Sequence, residues 1–140
     1  MKLKIKRLKE DAILPTYAHP GDVGMDMYSL EDYDLKPMER RVFFVGFAME
    51  FENGYAVIVK DKGSLPTKAG IHTMAGVYDA GYRGEYNTLL INLGQETYHI
   101  SKGDKIAQLV VYPVVIAEFE ETNQLSESSR GEGRFGSTGK

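Results

Sequence analysis

The feature that most constrains the fold is an apolar period of two residues that recurs along most of the chain. A period of two puts successive side chains on opposite faces of a strand, so that one face can be buried. The windows that follow it are rich in Val, Ile, Phe and Tyr, and we predict about eight to twelve short antiparallel strands from them. They cover residues 3–5, 42–51, 55–59, 88–93 and 106–116.

Turn-forming residues separate these windows, and no helical period competes with them. Gly, Pro, Asn and Asp cluster at residues 19–22, 52–54, 80–81, 92–94 and 102–104. The best candidate for a helical turn, residues 64–69, is interrupted by Pro66. We therefore predict an all-β fold: a sandwich, a jelly roll or a barrel.

Length and charge limit the number of domains and the size of a partner. A chain of 140 residues is long enough for one domain with one core. The 17 basic and 20 acidic side chains are interspersed and give a net charge of −3, without the broad basic face of a nucleic-acid binder. Any nucleotide that binds here is expected to be small.

Several other classes of site and location are disfavoured by composition. The chain has no cysteine, which excludes disulfides, thiol nucleophiles and thiolate metal sites. His19, His72 and His99 lack the paired spacing of a zinc site and are expected to be surface or hydrogen-bonded structural residues. The basic, alternating residues 1–11 lack the apolar run of a signal peptide, and no stretch approaches membrane-spanning length. We expect a soluble cytoplasmic protein.

The strand pattern stops near Thr122, where polar residues take over. We predict a β domain over residues 1–121 and a flexible C-terminal arm over residues 122–140. Fully extended, an arm of this length could span roughly 50 Å or more and reach a neighbouring subunit.

Five glycine-containing polar clusters interrupt or follow the strands. In the first cluster two carboxylates, Asp22 and Asp26, could hold a metal-bound water, although Gly-Asp turns are common in any protein. The second could direct backbone N–H groups and the Ser64 hydroxyl at a phosphate. The clusters are residues 20–26, 61–66, 76–85, 103–109 and 130–140.

The third and fourth clusters each contain one residue that stands out chemically. Asp79 follows an expected strand and could act as general base for water, with Tyr82 packing against a sugar; an ordinary turn with aromatic residues is the alternative. Gln108 is polar within an otherwise apolar strand, and a buried amide needs partners, of which a ligand is one kind.

The last cluster combines groups that bind phosphate with one aromatic ring. Arg130 and Arg134 offer guanidinium forks, and Ser137 and Thr138 offer hydroxyl donors. Phe135 either anchors the tail in a core or lies on a flat apolar partner such as a nucleobase. A mobile tail without a specific task is the alternative.

In this order, the five clusters resemble the five motifs of the trimeric deoxyuridine triphosphatases (dUTPases). The third cluster reads GVYDAGYRGE, the fourth GDKIAQLV and the fifth RGEGRFGSTG, and the match runs from residue 20 to residue 140. In the third motif Tyr78 replaces the usual small aliphatic residue. The resemblance implies a distorted jelly-roll (β-clip) subunit in a homotrimer, and hydrolysis of dUTP to dUMP and pyrophosphate with Mg²⁺. That reaction limits uracil incorporation into DNA and supplies dUMP for thymidylate synthesis.

The resemblance also assigns roles in the chemistry at the α-phosphorus. Asp79 matches the carboxylate that orients and deprotonates the attacking water, and Asp26 the one that helps hold magnesium-bound waters. The metal itself is gripped by the three phosphates, without direct protein ligands. Tyr82 matches the ring under the deoxyribose, which leaves no room for a 2′-hydroxyl, and the backbone of Gly76, Val77 and Tyr78 belongs to the hairpin that reads the uracil edge.

The remaining roles concern the phosphates and the arm. Gln108 and the second motif, Lys62, Gly63 and Ser64, match phosphate contacts, and Arg130 matches the clamp on the γ-phosphate. Phe135 matches the ring that stacks over uracil, and Gly136, Ser137 and Thr138 the closing phosphate donors. In the family, the arm of one subunit completes a site built by two others and orders over bound substrate as a lid.

The second motif departs from the family pattern, and two other functions are compatible with the fold. Most relatives have Arg-Ser-Gly where this chain has Lys62-Gly63-Ser64, and lysine cannot grip phosphate with two parallel hydrogen bonds. One alternative function is a dCTP deaminase, which shares the fold and the trimer. The other is a regulator that keeps the trimer as a scaffold for a protein partner. No membrane or nucleic-acid partner is expected.

Overall fold

A computed structural model describes residues 1–134 of the chain, so the predictions made for Phe135, Gly136, Ser137 and Thr138 lie outside the described residues. Within that range the chain forms eleven strands and one short helix, and the all-β prediction is confirmed. In chain order the elements are β1 (Lys4–Arg7), β2 (Gly24–Tyr28), β3 (Tyr33–Leu35), β4 (Arg40–Phe44), β5 (Phe47–Glu50), β6 (Tyr55–Lys60), α1 (Ser64–Ala69), β7 (Ile71–Met74), β8 (Val77–Tyr78), β9 (Asn87–Asn92), β10 (Tyr98–Ile100) and β11 (Lys105–Pro113).

The strands form a distorted β jelly roll of small antiparallel sheets. The largest sheet has the order β2-β11-β6-β8, and a second has the order β4-β9-β7. Two-stranded ribbons, β1 with β5 and β10 with β3, complete the framework. Most neighbours are distant in sequence, which is why the sheets bring the separated motifs together.

The core is formed by the inward-facing residues of these strands. In β9 buried and half-buried residues alternate along the whole strand, as a strand with one buried face requires. The largest fully buried side chains include Phe43, Phe47, Met27, Leu35 and Leu109 from several sheets, and Tyr86 directly before β9. One continuous apolar core therefore supports the sheet that carries the motifs.

Three differences from the sequence windows have local physical causes. Residues 42–51 form two strands rather than one, because the chain turns at Gly46 between β4 and β5. Residues 64–69 form a helix despite Pro66, which lies in the first turn, where a proline removes no intrahelical hydrogen bond. The window 106–116 is cut short because β11 ends at Pro113.

Beyond β11, residues 114–134 run without strand or helix and are exposed. Several of their side chains are large and apolar; Phe119, for example, is 96 % exposed. The exposed stretch thus begins before residue 122, where the strand pattern of the sequence ends, and the division into a domain and an arm stays a prediction. The part of the chain that the structure describes contains no helix long and apolar enough to cross a membrane.

Candidate active site

Asp26 lies in the middle of a strand, where the sequence suggested a polar loop. Strand β2 places it opposite Gln108 of β11, and Gln108 in turn lies opposite Lys60 of β6. Asp26 is only 1 % exposed. A buried carboxylate in a strand requires compensation, because desolvation penalises its charge.

Two lysines from different elements provide that compensation. Lys62 Nζ, from the β6–α1 loop, donates to Asp26 Oδ1 at 2.5 Å, and Lys105 Nζ, at the start of β11, lies 2.7 Å from Oδ2. Burial is the largest influence on the pKa of Asp26 and raises it, but Lys105 and Lys62 together outweigh burial, so the pKa lies below its usual value. We call Asp26, Lys62, Lys105 and Gln108 the Asp26 cluster. With one carboxylate and two ammonium groups, it carries a net positive charge suited to an anion.

Gln108 belongs to this cluster because Gly24 leaves room for it. A Cβ atom on Gly24 would lie 2.0 Å from Gln108 Oε1, so the amide passes directly over the glycine. Its Nε2 group donates to the backbone oxygen of Asp61 at 2.7 Å. The polar residue in an apolar strand therefore links β11 to the loop that carries the second motif.

Asp61 fixes the position of that loop. Its carboxylate accepts hydrogen bonds from Thr73 N at 2.6 Å and Thr73 Oγ1 at 2.8 Å, and it pairs with His72 Nδ1 at 2.8 Å. Burial raises the pKa of Asp61, but the hydrogen bonds from Thr73 and His72 outweigh it, and the net shift is downward. The strand β7 thus holds the residue directly before Lys62 in place.

The rest of the second motif faces solvent. Gly63 and Ser64 are exposed at the start of α1, and the Gly63 carbonyl accepts a hydrogen bond from Thr67 Oγ1 at 2.7 Å. Lys62, by contrast, is turned toward Asp26. Within this segment, Lys62 therefore contacts the buried Asp26, whereas Ser64 faces solvent.

The third motif forms a separate hairpin turn that projects Asp79 into solvent. Asp79 is exposed, and its backbone oxygen accepts a hydrogen bond from Tyr82 N at 3.0 Å. Arg83 Nη1 donates to the Ala80 and Tyr82 carbonyls at 2.6 and 2.9 Å, which secures the turn. The Asp79 carboxyl group is thus open to contact with water or a ligand.

The three residues before Asp79 differ in what they present. The Gly76 oxygen accepts a hydrogen bond from Val59 N at 2.8 Å, while the Val77 side chain is 68 % exposed. The Tyr78 side chain is 8 % exposed and packs in the core, and its hydroxyl is engaged by the Asn87 backbone. Any ligand contact at Tyr78 must therefore come from its backbone.

Within one chain, Asp79 and the Asp26 cluster lie at opposite ends of β6. Tyr78 pairs with Val57 and Gln108 with Lys60, so the two rows lie three positions apart along β6, and Asp79 continues away from Lys60. Strands β2 and β8 are also the two edges of their sheet. At about 3.3 Å per residue and 4.8 Å per strand, the backbones of Asp79 and Asp26 lie roughly 20 Å apart. One copy of the chain does not bring both carboxylates to one phosphate.

The fifth motif is only partly described. Arg130 is exposed, its Nε group donates to the Gly133 carbonyl at 3.1 Å, and Gly133 N donates back to the Arg130 carbonyl at the same distance. This local turn contacts none of the other motifs through a hydrogen bond among residues 1–134. The predicted clamp on a phosphate stays a prediction.

The structure adds residues that the motif analysis did not select. Lys105 and Asp61 were missed because their partners lie far away in sequence; Lys105 does occupy the position after a Gly-Asp turn, which gave a weak signal. Arg83 lies within the third motif and was given no role from the sequence, although it holds the turn. Among residues 1–134 no group of three or more His, Asp or Glu side chains is arranged to hold a metal ion.

A β jelly roll with a cationic cluster at one sheet end, and an exposed carboxylate beside a tyrosine at the other, is suited to bind a phosphorylated nucleoside. Comparison with known proteins agrees. The family model described as dUTPase matches residues 10–139. Two deoxyuridine 5′-triphosphate nucleotidohydrolases, from Clostridium tetani and Nautilia profundicola, are each 45 % identical to this chain. The Clostridium tetani match covers 99 % of this chain and 97 % of that protein. The Nautilia profundicola match covers 100 % of both.

Solved structures give the same result. A point mutant of the dUTPase of Staphylococcus bacteriophage 80alpha, with dUpNHpp, has a TM-score of 0.92 at 28 % identity and covers 99 % of this chain and 98 % of its own. A mutant dUTPase from phage phi11 of S. aureus, described with a structural Mg(II) ion, has a TM-score of 0.84 at 25 % identity and covers 91 % of this chain and all of its own. The chain belongs to the dUTPase family.

Proposed function

We propose that the protein hydrolyses dUTP to dUMP and pyrophosphate in active sites shared between the copies of a homotrimer. The observation that carries this proposal is the separation of the motifs. Asp26, Lys62 and Gln108 converge at one end of the main sheet, and Asp79 and Tyr82 lie at the other. The choice of dUTP as substrate is supported by relatives that match the whole chain and are named deoxyuridine 5′-triphosphate nucleotidohydrolases.

In this proposal the phosphates bind at the Asp26 cluster of one copy. Lys62 and the Gln108 amide contact the phosphate oxygens, together with the backbone of Gly63 and the exposed hydroxyl of Ser64. The net positive charge of the cluster attracts the triphosphate before these contacts form. Because Lys62 already pairs with Asp26, it is held ready for phosphate without the paired hydrogen bonds of an arginine.

The hairpin of a second copy supplies the base and the nucleoside contacts. Asp79 holds the attacking water in line with the α-phosphorus and takes its proton. Tyr82 packs under the deoxyribose, and the backbone of Gly76, Val77 and Tyr78 reads the uracil edge. The buried side chain of Tyr78 restricts that residue to backbone contacts.

The residues fit a magnesium ion that arrives with the triphosphate better than one bound by the protein alone. Both oxygens of Asp26 face lysine ammonium groups, so Asp26 would act on a bound metal through water. Mg²⁺ bound with the triphosphate would neutralise charge on the phosphates and the leaving pyrophosphate. The role of Asp26 would be to orient water beside it.

Two surfaces support an assembly of several copies. The outer face of the sheet β4-β9-β7 carries apolar side chains that no other part of residues 1–134 covers; Val42 and Phe44 of β4 are both well exposed there. Val115, Ile116 and Phe119, after β11, are also exposed, and apolar groups of this kind favour burial against a second copy. We propose that the arm crosses to a neighbour, where Arg130 clamps the γ-phosphate and Phe135, Gly136, Ser137 and Thr138 close the site.

The protein's place in the cell follows from the substrate. A dUTP hydrolase acts on the pool of DNA precursors, where it removes dUTP before polymerases use it and yields dUMP for thymidylate synthesis. The cytoplasm is therefore the location that we propose.

Steady-state hydrolysis of dUTP, measured beside dTTP, dCTP and UTP with Mg²⁺ present, tests the proposal. We expect pyrophosphate release from dUTP at a kcat/KM well above that for the other three nucleotides. The same reactions assayed for ammonia separate hydrolysis from deamination. Ammonia from dCTP, or no turnover of dUTP by the purified protein, would contradict the proposed function.

A further inference from the structure

Three tyrosines spaced four residues apart meet in the hairpin of the third motif. The rings of Tyr78 and Tyr86 stack nearly parallel, with centroids 4.0 Å apart and planes at 15°. Tyr82 leans against both, with its centroid 5.4 Å from Tyr78 and 5.9 Å from Tyr86. Aromatic pairs at the separations that Tyr82 has from both rings attract each other beyond the apolar area that they bury. Two buried rings therefore form the base on which the partly exposed Tyr82 ring rests.

The other sides of the Tyr82 ring are also held. A Cβ atom on Gly84 would lie 2.3 Å from the Tyr82 hydroxyl oxygen and 2.5 Å from Cζ, so the ring folds back over the glycine. The hydroxyl donates to the Glu85 carbonyl at 3.1 Å. Contacts on several sides thus hold the ring, while 39 % of the residue stays exposed to a ligand.

Tyr78 and Tyr86 differ in how they use their hydroxyl groups. The Tyr78 hydroxyl donates to Asn87 O at 2.8 Å and accepts from Asn87 N at 2.9 Å, which closes the hairpin at its base. Tyr86 is fully buried, and its hydroxyl has no hydrogen-bond partner among residues 1–134. A buried hydroxyl without a partner costs stability, so the contribution of Tyr86 comes from its ring.

We propose that Tyr78 and Tyr86 are positioning residues that fix the ring of Tyr82 and thereby set the discrimination between dUTP and UTP. The inference rests on the proposed function, in which the deoxyribose packs on Tyr82. A fixed ring leaves no space for a 2′-hydroxyl, whereas a ring that can tilt accommodates one. Selectivity against a slightly larger substrate requires a rigid wall, and small displacements in a site have large effects on rate.

Kinetics of two ring-deleting variants and one matched control test this role. Tyr86→Leu and Tyr78→Leu remove one ring each, whereas Tyr86→Phe keeps the ring and removes only the unpaired hydroxyl. We expect the ratio of kcat/KM for dUTP to that for UTP to fall by about tenfold to a hundredfold in both leucine variants. In Tyr86→Phe the ratio should be unchanged. A purely structural role would lower both kcat/KM values together and leave their ratio intact, which would overturn the proposal.

A measurement on the wild-type protein without nucleotide separates this inference from the proposed function. With ring-labelled tyrosine and Tyr82→Phe to assign the signal, NMR should show ring-to-ring NOEs between Tyr82 and Tyr78 in the wild type and in Tyr86→Phe, as the centroid distance of 5.4 Å requires. Absence of these NOEs in the wild type would overturn the inference even if dUTP is hydrolysed, and even if the leucine variants fail to fold. Absence of dUTP hydrolysis together with a fixed ring would reject the proposed function and leave the packing of the three rings established.

Discussion

In our account the Asp26 cluster and the Asp79 hairpin each contain an essential carboxylate, but in opposite surroundings. Asp26 is buried and paired with the ammonium groups of Lys62 and Lys105, whereas Asp79 is exposed at the tip of a turn. A carboxylate that is already paired is a fixed part of a binding surface. One that is unpaired can accept a proton from water. In the proposed mechanism, binding therefore belongs to one end of the sheet and proton transfer to the other.

The largest effect that separates the two regions is expected for Asp79→Asn. The amide cannot take a proton, so kcat for dUTP should fall by about 10²- to 10⁴-fold, the range of general base catalysis. Because the side chain is exposed, the free energy of unfolding should change by less than about 0.5 kcal/mol. Single-turnover kinetics and urea unfolding measure the two quantities, and turnover near that of the wild type would remove Asp79 from the chemical step.

Asp26→Asn should show a different combination of losses. It leaves Lys62 and Lys105 without their counter-charge, and we expect destabilisation of about 1–3 kcal/mol, less than for a fully buried pair because both lysines reach water. Activity should fall by about a hundredfold, because removing a group that hydrogen-bonds to the ligands of a metal typically lowers metal affinity or activity by about 10- to 100-fold. If urea unfolding gave the same stability as Asp79→Asn, the contrast between the two carboxylates would be wrong.

A smaller effect is expected where the cluster depends on close approach. In Gly24→Ala the new Cβ would displace the Gln108 amide. Folding should be spared, because the end of the Gln108 side chain is flexible. The KM for dUTP should rise by about tenfold, which corresponds to the loss of one hydrogen bond to a charged group. Gln108→Ala serves as the matched control. The double variant should lose no more than either single variant, because both remove the same contact. Additive losses would show that Gly24 acts independently of Gln108.

The smallest effect concerns acid stability. The folded-state pKa of Asp26 lies below the ordinary value of 3.8, with burial raising it and the two lysines lowering it more. Its stabilisation is therefore fully present above the ordinary pKa and is lost as the pH falls through the folded pKa. Between about pH 5 and pH 3, the wild type should lose more unfolding free energy than Asp26→Asn does. Equal losses in urea titrations would mean that the lysines do not stabilise the ionised form.

Much of the fold could be predicted from sequence because its strands have a two-residue period. The windows around β6 and β9 correspond to strands within a residue or two at each end. Strand β2 was not found in this way: Met25 and Met27 keep the two-residue period on either side of Asp26, but the glycines and carboxylates of residues 20–26 indicated a polar loop. What the sequence could not show is the burial of Asp26, which depends on distant lysines. The strands β3, β8 and β10 have two or three residues each and are too short to show a period.

Like the fold, the candidate site could be predicted from the sequence only in part. The third motif could be located because its residues are adjacent in sequence, but the sequence suggested no buried position for Tyr78. Its four-residue spacing with Tyr82 and Tyr86 was an available signal, yet only the hairpin brings the three rings together. Asp61 and Lys105 gave no comparable signal, because their roles depend on partners from β7 and β2.

The central claim, that Asp26 and Asp79 of one active site come from different copies, can be tested by mixing the two inactive chains. Asp26→Asn and Asp79→Asn chains, co-expressed in equal amounts with different affinity tags and purified through both, are expected to form mixed trimers. If the carboxylates come from different copies, about one third of the sites in these trimers contain both native residues, and dUTP hydrolysis should recover to that order. If both came from one copy, no site would be intact, and activity no higher than that of the separate variants would contradict the account.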